Sequence, residues 1–348
     1  MRYSFLQPLL FHLEPELAHR LSLDALKNMD RLGCLPRSHF SLPCTLMGID
    51  FPNPLGVAAG LDKNGDYIHC LAALGFGFIE VGTVTPRAQP GNPKPRVFRV
   101  PEAQAIINRL GFNNKGVDYC VQQIKRSGYK GVLGVNIGKN RDTPIQHSLD
   151  DYLHCLARVY PVANYITINV SSPNTPDLRN LQHGTYRNDL LTALKAEQAK
   201  LADQYGRYVP LVLKIAPDLT QIQVEELARA LIFHRIDGVI ATNTTASREA
   251  LVDVFDEQKV PESKRHDCLL EAGGLSGKPL FKLSNRIIEH LTHCLSEQIP
   301  IIGVGGLLSG EDAIEKCNMG AQLLQVYTGF IYKGPGLVKE IIEALRLR

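Results

Sequence analysis

Eight short apolar segments alternate with eight helical patterns between residue 55 and the C terminus. The apolar segments are rich in β-branched residues, which is typical of buried parallel strands, and each helix would return the chain to the same edge of a sheet. Strands are predicted at 55–61, 76–84, 132–138, 165–172, 211–217, 238–244, 299–306 and 323–329, and helices at 64–74, 113–127, 148–160, 185–205, 220–234, 279–294, 309–319 and 336–347. The pattern favours an α/β fold, a (β/α)8 TIM barrel, over an open doubly wound sheet.

Composition excludes several other classes. Among 348 residues, 44% are hydrophobic and 21% charged, which is typical of a globular protein. The net charge of +3 is too small to indicate nucleic acid as the main partner. The 8 cysteines contain no CxxC pair, and Cys70, Cys120 and Cys155 fall in apolar helical patterns, so reduced thiols and a cytoplasmic setting are predicted.

The N-terminal segment, predicted as an extension over residues 1–40 ahead of a barrel domain at 41–348, contains two amphipathic helical patterns. Its apolar stretch is broken by polar residues, so neither a signal peptide nor a spanning helix is predicted. Pro15 suits the first turn of the second helix. The pattern alone favours helices that cap the barrel over a surface that contacts a membrane or an apolar ligand.

Two long insertions interrupt the barrel repeat, at residues 85–112 and 245–278. Both exceed the usual connection length, and loops at this end of a barrel commonly serve a site. The first insertion could form an extended lid or a hairpin. The second is rich in charges.

Polar side chains gather at the predicted strand ends, where a barrel places its chemistry. Because amides and hydroxyls dominate there, and Asp62 is the single carboxylate, a metal site is not predicted. His290 and His293 lie opposite an apolar helix face, so they are interpreted as a solvated pair.

Gly305 and Gly306 follow the seventh strand, next to Tyr327 and Thr328 at the end of the eighth. Glycines at this position let backbone N–H groups approach a phosphate, which favours a cofactor with one terminal phosphate, such as FMN. Lys63 and Lys214 either form salt bridges at the rim or stabilise an anionic flavin or substrate. The second interpretation is favoured for Lys214, because an unpaired charge in a strand is costly.

The loop SSPNTPDLRN after the fourth strand contains two prolines among hydroxyl and amide side chains. It could be a rigid connector, or it could close over a ligand and present a proton acceptor. The sequence pattern alone leaves both possibilities open.

The ordered motifs AAGLDKNG, EVGTVTPRAQPGNPKPR, NRLGFNNKG, GVNIGKN, INVSSPNTPDLR, KIAPD, GVIATNTT, GGLSG and IIGVGG resemble those of the quinone-dependent (class 2) dihydroorotate dehydrogenases from about residue 44 onward. The resemblance implies an FMN enzyme that oxidises (S)-dihydroorotate to orotate in pyrimidine biosynthesis and passes the electrons to a quinone. A flavin-free, phosphate-binding barrel lyase or isomerase and a non-catalytic peripheral membrane protein are the alternatives.

The resemblance also implies the site residues. The FMN contacts correspond to Ala59, Gly60, Leu61, Asp62, Lys63, Thr83, Asn136, Asn169, Lys214, Thr242, Gly277, Gly306, Tyr327 and Thr328. The substrate contacts correspond to Lys63, Asn108, Arg109, Leu110, Gly111, Phe112, Asn169, Asn174, Asn243 and Thr244.

The catalytic base of the family corresponds to Ser172, where class 1 relatives have cysteine. Ser172 would accept the C5 proton, and Thr175 with a water would receive the serine proton. Lys214 would stabilise negative charge on the reduced flavin. Asp177 is a departure, because relatives often have glycine there.

In this class the N-terminal helices form a hydrophobic tunnel for quinone, and His19, Arg99 and Tyr327 correspond to positions that line it. The resemblance therefore implies peripheral association with the cytoplasmic face of the inner membrane. It also implies a monomer.

Overall fold

In the computed structural model, which describes residues 3–348 without the side chains of residues 263 and 264, eight parallel strands close into a barrel. The strands are β1 Leu55–Val57, β2 Phe78–Val84, β3 Val132–Ile137, β4 Tyr165–Asn169, β5 Leu211–Ile215, β6 Gly238–Ala241, β7 Ile301–Val304 and β8 Leu323–Val326. They follow one another around the barrel in chain order, and β8 pairs with β1 through Leu324 opposite Leu55. The predicted (β/α)8 fold is confirmed.

Helices surround this barrel, and two further helices, α1 and α2, precede it in the N-terminal segment. They are α1 Tyr3–His12, α2 Pro15–Arg31, α3 Ile68–Ala72, α4 Val117–Ser127, α5 Ser148–Val159, α6 Gly184–Tyr205, α7 Gln221–Phe233, α8 Glu249–Glu257, α9 Glu262–Leu270, α10 Phe281–Leu295, α11 Gly310–Asn318, α12 Thr328–Lys333 and α13 Gly336–Arg346. The eight predicted barrel helices correspond to α3 to α7, α10, α11 and α13. Helix α12 was not predicted, because it begins two residues after β8 and its apolar residues extend the pattern of that strand.

Seven of the eight predicted strands are too long at their C-terminal ends, whereas the second ends at Val84, as predicted. The fourth was predicted to end at residue 172, whereas β4 ends at Asn169, and the eighth was predicted to end at 329, whereas β8 ends at Val326. The apolar pattern continues past the last ladder pair because the following loops are themselves buried. Ser172, Asn243 and Gly306 therefore lie in loops beyond the strands.

A short hairpin fills the N-terminal end of the barrel. Its strands, Cys44–Leu46 and Ile49–Phe51, pair antiparallel, and the ring of Phe51 packs edge-on against that of Phe78, with centroids 5.3 Å apart. Buried residues near the starts of the strands complete this cluster. Because apolar side chains close this end, a ligand cavity is left to the opposite end, where the strands finish.

The two insertions form one antiparallel sheet above that opposite end. Val97–Val100 pairs with Ala105–Asn108, as a hairpin, and Gly274–Gly277 of the second insertion joins the other side of the hairpin. The hairpin agrees with one of the two predicted forms, whereas the strand from the second insertion was not predicted. Four residues with two glycines and no alternation carry little strand signal.

The N-terminal helices attach to the first insertion through ion pairs and backbone contacts. Glu16 on α2 accepts two hydrogen bonds from Arg96, at 2.8 and 3.0 Å, and Arg99 donates to the carbonyl oxygens of Phe11 and Leu13 at 3.1 and 2.9 Å. Pro15 begins α2, as predicted. The division into an N-terminal extension and a barrel domain at residue 40 stays a prediction. The first two residues of the extension lie outside the described part of the chain.

Helix α1 packs loosely compared with the barrel helices. It has no buried residue, and the exposed fractions of Phe5 and Leu9 are 71% and 68%. None of the helices within residues 3–348 has both the length and the apolar character that a membrane span requires.

The eight cysteines carry free thiols, and Cys70, Cys120 and Cys155 are buried, as predicted. The interpretation of His290 and His293 as a solvated pair holds for His293, which is exposed, and is wrong for His290. Nε2 of His290 is buried 3.7 Å from Oε1 of Glu225, because α10 packs against α7 there. Over residues 3–348, no cluster of three or more His, Cys, Asp or Glu residues is suited to a metal ion.

Candidate active site

A cavity of about 1020 Å³, counting the space at its open mouth, lies where the barrel strands end. Most of the predicted site residues line it, although they come from seven of the eight strands and the loops that follow them. These residues are Ala59, Gly60, Lys63, Thr83, Asn108, Leu110, Gly111, Phe112, Asn169, Ser172, Asn174, Lys214, Thr242, Asn243, Thr244, Gly277, Gly306, Tyr327 and Thr328.

The other predicted site residues do not line this cavity. Arg109, predicted as a substrate contact, instead pairs with Glu271 and lines a separate outer cavity. Leu61, Asp62 and Asn136 lie behind the cavity wall. Leu61 belongs to the apolar core. The carboxylate of Asp62 accepts hydrogen bonds from the backbone N–H groups of residues 64, 65, 66 and 67, at 2.8 to 3.2 Å. The geometry gives Asp62 a role in shaping the loop that carries Lys63. Its assignment as a cofactor contact stays a prediction.

Asn136 supports the wall from behind. The hydroxyl of Thr83 donates to Oδ1 of Asn136 at 2.6 Å, and the Asn136 amide donates to Oε1 of Glu80 at 2.9 Å. Asn169 then donates to the Thr83 hydroxyl at 2.9 Å. These bonds fix the side chains of β2, β3 and β4 where the strands end, so protein groups orient the polar wall.

A second group of amides lies beneath the loop of residues 170–177, which we name the 170s loop. The amide of Asn174 donates to the backbone oxygen of Asn108 at 3.1 Å, and that of Asn243 donates to the hydroxyl of Ser171 at 3.0 Å. With Asn169, these residues bring donors and acceptors from three separate segments to one side of the cavity. Such a group suits a small planar ligand with several carbonyl and N–H positions.

Ser172 lies in the 170s loop and faces the cavity, with only 6% of the residue exposed. Its Oγ accepts a hydrogen bond from the backbone N–H of Asn174 at 3.2 Å. This bond orients the oxygen and leaves its proton free to donate. Within residues 3–348, no direct hydrogen bond joins Ser172 to Thr175, so the predicted proton relay would need a water.

Two lysines, the buried Lys214 and the half-buried Lys63, add positive charge to the cavity. Burial lowers the pKa of Lys63 to about 8, although the Glu16 carboxylate partly offsets this effect. Burial also lowers the pKa of Lys214, and Glu80 opposes the shift. Lys63 donates to the carbonyl oxygen of Gly60 at 3.2 Å, whereas Lys214 has neither a hydrogen bond nor an ion pair within the described part of the chain. An anion in the cavity would stabilise both ammonium groups.

The floor of the cavity contains a buried carboxylate that the sequence analysis missed. Glu80, in the middle of β2, accepts hydrogen bonds from Tyr165, Thr167 and Gln325, at 2.9, 3.1 and 2.8 Å, in addition to Asn136. Oε1 of Gln325 is buried without a hydrogen-bond partner among the described residues. Because Gln325 lines the cavity, this oxygen is available to a ligand donor.

Glycine backbone forms the side of the cavity near β7 and β8. Gly277 and Gly306 have φ angles of 96° and 78°, which favour glycine, and a Cβ on Gly306 would lie 2.4 Å from Cβ of Phe281. Ser276 accepts a hydrogen bond from Thr328 at 2.8 Å beside them. These contacts hold backbone close to the cavity, in an arrangement suited to a phosphate.

The residues predicted to line a quinone tunnel lie toward α1 and α2. Tyr327 lines the cavity, and His19 on α2 lies close to the backbone of Leu61 and to Lys63. Burial lowers the pKa of His19 to about 4, and the Lys63 charge lowers it further. Arg99 lies over the ring of Phe11, 4.7 Å from its centroid. His19 is thus next to the cavity wall, whereas Arg99 is at the end of α1.

Several lining residues were not predicted as site residues. They are Ala58, Ser276, Leu280, Val304, Gly305, Leu307, Gln325, Val326 and Gly329. Gly305 had been noted at a strand end, and Ser276 belongs to the GGLSG motif, so these two carried a signal. Glu80 and Gln325 did not, because a polar residue inside a strand gives no indication of what it faces.

Comparison with known proteins supports a single family. The dihydroorotate dehydrogenase family profile matches residues 41–348. A dihydroorotate dehydrogenase (quinone) of Nitrosomonas eutropha is 54% identical over 99% of this chain and 98% of its own, and one of Methylobacillus flagellatus is 56% identical over 99% and 100%.

Solved structures agree with this result. DHODH of Eimeria tenella in complex with ferulenol superposes with a TM-score of 0.84 and 36% identity, covering 95% of this chain and 90% of that chain. The ligand-free form has a TM-score of 0.83 and 38% identity, covering 95% and 94%. The chain belongs to the dihydroorotate dehydrogenase family.

Proposed function

We propose that the cavity holds FMN together with dihydroorotate, and that Ser172 is the base of the oxidation. Full-length relatives of this chain are quinone-dependent dihydroorotate dehydrogenases. The chain is accordingly an oxidoreductase that converts dihydroorotate to orotate in pyrimidine biosynthesis, with a quinone as electron acceptor. Flavin dependence is general in this family, and the proposal specifies FMN.

The fit of FMN rests on the cavity residues. Gly277 and Gly306 leave backbone close to the space beside β7 and β8, which suits one phosphate group. The unpartnered oxygen of Gln325 and the amides of Asn169 offer polar contacts to a flavin ring. When bound, FMN supplies a hydride acceptor and a carrier of electrons to the quinone.

Substrate oxidation requires loss of a proton from C5 and of a hydride from C6, which leaves the C5–C6 double bond of orotate. Ser172 accepts the proton, and the N–H of Asn174 keeps the serine oxygen in place. Asn108, Asn174 and Asn243 orient the ring from the loop side. The proton then leaves Ser172 through water.

The lysines supply charge. Lys214 provides an ammonium group that no described side chain neutralises by direct contact, where hydride transfer develops negative charge. Lys63 provides a second positive charge, suited to the substrate carboxylate. Neither ammonium group has a carboxylate within ion-pair distance among the described residues, which supports anionic ligands.

Quinone access is assigned to α1 and α2, with His19, Arg99 and Tyr327 along the path. The exposed Phe5 and Leu9 side chains of α1 support peripheral contact with a membrane, for which the family is known in general. We assign this contact to the cytoplasmic face of the inner membrane and the chain to a monomer, as the resemblance implies.

The observation that best supports the proposal is the cavity that brings Ser172, the amides and both lysines together. Anaerobic mixing with dihydroorotate tests the proposal, because it probes cofactor, substrate and hydride transfer at once. The purified protein should be yellow, and its flavin absorbance should bleach within one turnover. A colourless protein, or a flavin that dihydroorotate leaves oxidised, would contradict the proposal.

A further inference from the structure

A second, open cavity lies on the outer side of the 170s loop. Arg109, Arg141, Arg248 and Glu271 line it, together with Pro173 and Asn174 of that loop. Asn174 also lines the active-site cavity, so one side chain forms part of both walls. The outer cavity therefore adjoins the substrate side of the site, away from α1 and α2.

The outer cavity has an excess of positive charge. Its lining contains three guanidinium groups and, among the described residues, one carboxylate. That carboxylate, Glu271, forms an ion pair with Arg109. Arg141 instead donates to Oδ1 of Asn92 at 2.9 Å, and Arg248 donates to the backbone oxygens of Glu271 and Gly273, at 2.6 and 2.8 Å.

These contacts orient Arg141 and Arg248 without neutralising them. Each donates to a neutral oxygen, and within residues 3–348 neither has a carboxylate within ion-pair distance. Two positively charged guanidinium groups that are fixed in place and not paired with a carboxylate attract anions from solution. This attraction falls as the ionic strength rises. Nothing in the proposed oxidation uses either group.

We propose that the outer cavity is a docking site for the carboxylate of dihydroorotate, in which Arg141 and Arg248 collect the anion before it passes Asn174 into the active site. This inference rests on the proposed function, because it takes the substrate to be an anion. It adds an access step that sets the rate of association and leaves hydride transfer unchanged. Orotate, also an anion, would leave by the same route.

Arg141 is the residue to change, because it is exposed and bonds one side chain, whereas Arg248 also holds backbone. Arg141→Gln removes the charge and keeps a hydrogen-bond donor, and Arg141→Lys keeps the charge. Arg158→Gln is the matched control, because Arg158 is an exposed arginine paired with Asp118 and lines neither cavity. The control changes the net charge of the protein by the same amount.

The experiment is anaerobic stopped-flow reduction of the flavin by dihydroorotate, at sodium chloride concentrations from low to high. We expect Arg141→Gln to lower the second-order rate constant about fivefold at low ionic strength, with the difference vanishing at high salt. Arg141→Lys should retain most of the wild-type rate constant. The rate constant at saturating dihydroorotate should be the same in all four proteins.

Two results would overturn the docking site. One is a wild-type second-order rate constant that does not depend on salt, and the other is an equal effect of Arg158→Gln and Arg141→Gln. Failure of the proposed function looks different, because the wild-type flavin would then stay oxidised at every salt concentration. A thermal melt of each variant separates a folding defect from an association defect.

Discussion

The substrate side of the active-site cavity and the α1 side of the molecule, which we call the two flanks, are built in opposite ways. At the 170s loop, side chains such as Asn169 and Asn174 are hydrogen-bonded to neighbouring protein groups. On the α1 flank, Phe5 and Leu9 contact solvent, and the helix buries no residue. The first flank is organised for one small polar molecule, whereas the second offers apolar area that suits a lipid-soluble molecule. The two half-reactions should therefore respond separately to mutation.

The largest difference between the effects on the two half-reactions is expected for a substitution of Ser172. Ser172→Ala removes the proposed base, so reduction of the flavin by dihydroorotate should slow by about 10²- to 10⁴-fold. Reoxidation of the pre-reduced enzyme by quinone should keep its wild-type rate, because it needs no proton from C5. Stopped-flow measurement of each half-reaction checks this, and an unchanged reduction rate would remove Ser172 from the mechanism.

A charged surface on α1 should have the reverse effect. Changing Phe5 and Leu9 together to glutamate should weaken binding to lipid vesicles about a hundredfold, since burying two large apolar side chains contributes about 3 kcal/mol. Quinone turnover should fall with it, while reduction by dihydroorotate is spared.

Phe233→Glu is the matched control for the α1 variant, because Phe233 is 80% exposed on α7. Vesicle co-sedimentation and quinone assays on both variants make the comparison. Similar losses in the two would mean that apolar exposure in general, not α1, controls the association.

The environment of His19, on α2 near Leu61 and Lys63, predicts an acid dependence of stability. Burial lowers its pKa to about 4 in the folded chain, below the ordinary value of 6.5. The unfolded chain therefore binds more protons between these values, and stability is lost as pH falls from about 6.5 to 4. The loss should be about 2 kcal/mol in free energy of unfolding.

Urea unfolding across this pH range measures the His19 effect. Between pH 6.5 and 4, the free energy of unfolding of His19→Gln should fall by about 2 kcal/mol less than that of the wild type. His12→Gln, at an exposed position on α1, should follow the wild type. Parallel curves for His19→Gln and the wild type would mean that His19 is solvated in the folded chain.

The smallest effect is expected at Asp177, in the ordered loop of the first flank. Asp177 has a φ of 55°, in the left-handed region that favours glycine. Asp177→Gly should raise the free energy of unfolding by about 0.5 kcal/mol, because relief of strain exceeds the added entropy of the unfolded chain. Urea unfolding checks this, and a decrease would show that the Asp177 side chain stabilises the loop.

The barrel was predictable because its apolar pattern is repeated eight times, so an error at one boundary does not change the count. The C-terminal ends of the strands were harder to predict, since Asn243 and Gly306 lie in buried loops whose composition continues that of the strands. Within the site, the motifs predicted Ser172 and Lys214 through family resemblance. Glu80 escaped prediction, because its four donors come from residues far apart in the chain.

The position of Asn174 between two cavities could not be predicted from the sequence. The resemblance identified it as a substrate contact, and local sequence could not indicate that it faces two cavities. That property depends on where the first and second insertions meet the 170s loop, which is a long-range feature of the fold.

The pairing of Ala105–Asn108 with Gly274–Gly277 has a consequence for how the chain can vary. Residues separated by more than 160 positions share one hydrogen-bonded ladder, so a deletion in either insertion shifts the register of the other. Loop grafting between relatives should therefore exchange the two insertions together. A chimera that exchanges only one would misalign Asn108, and the substrate side would lose its shape although every catalytic residue remained.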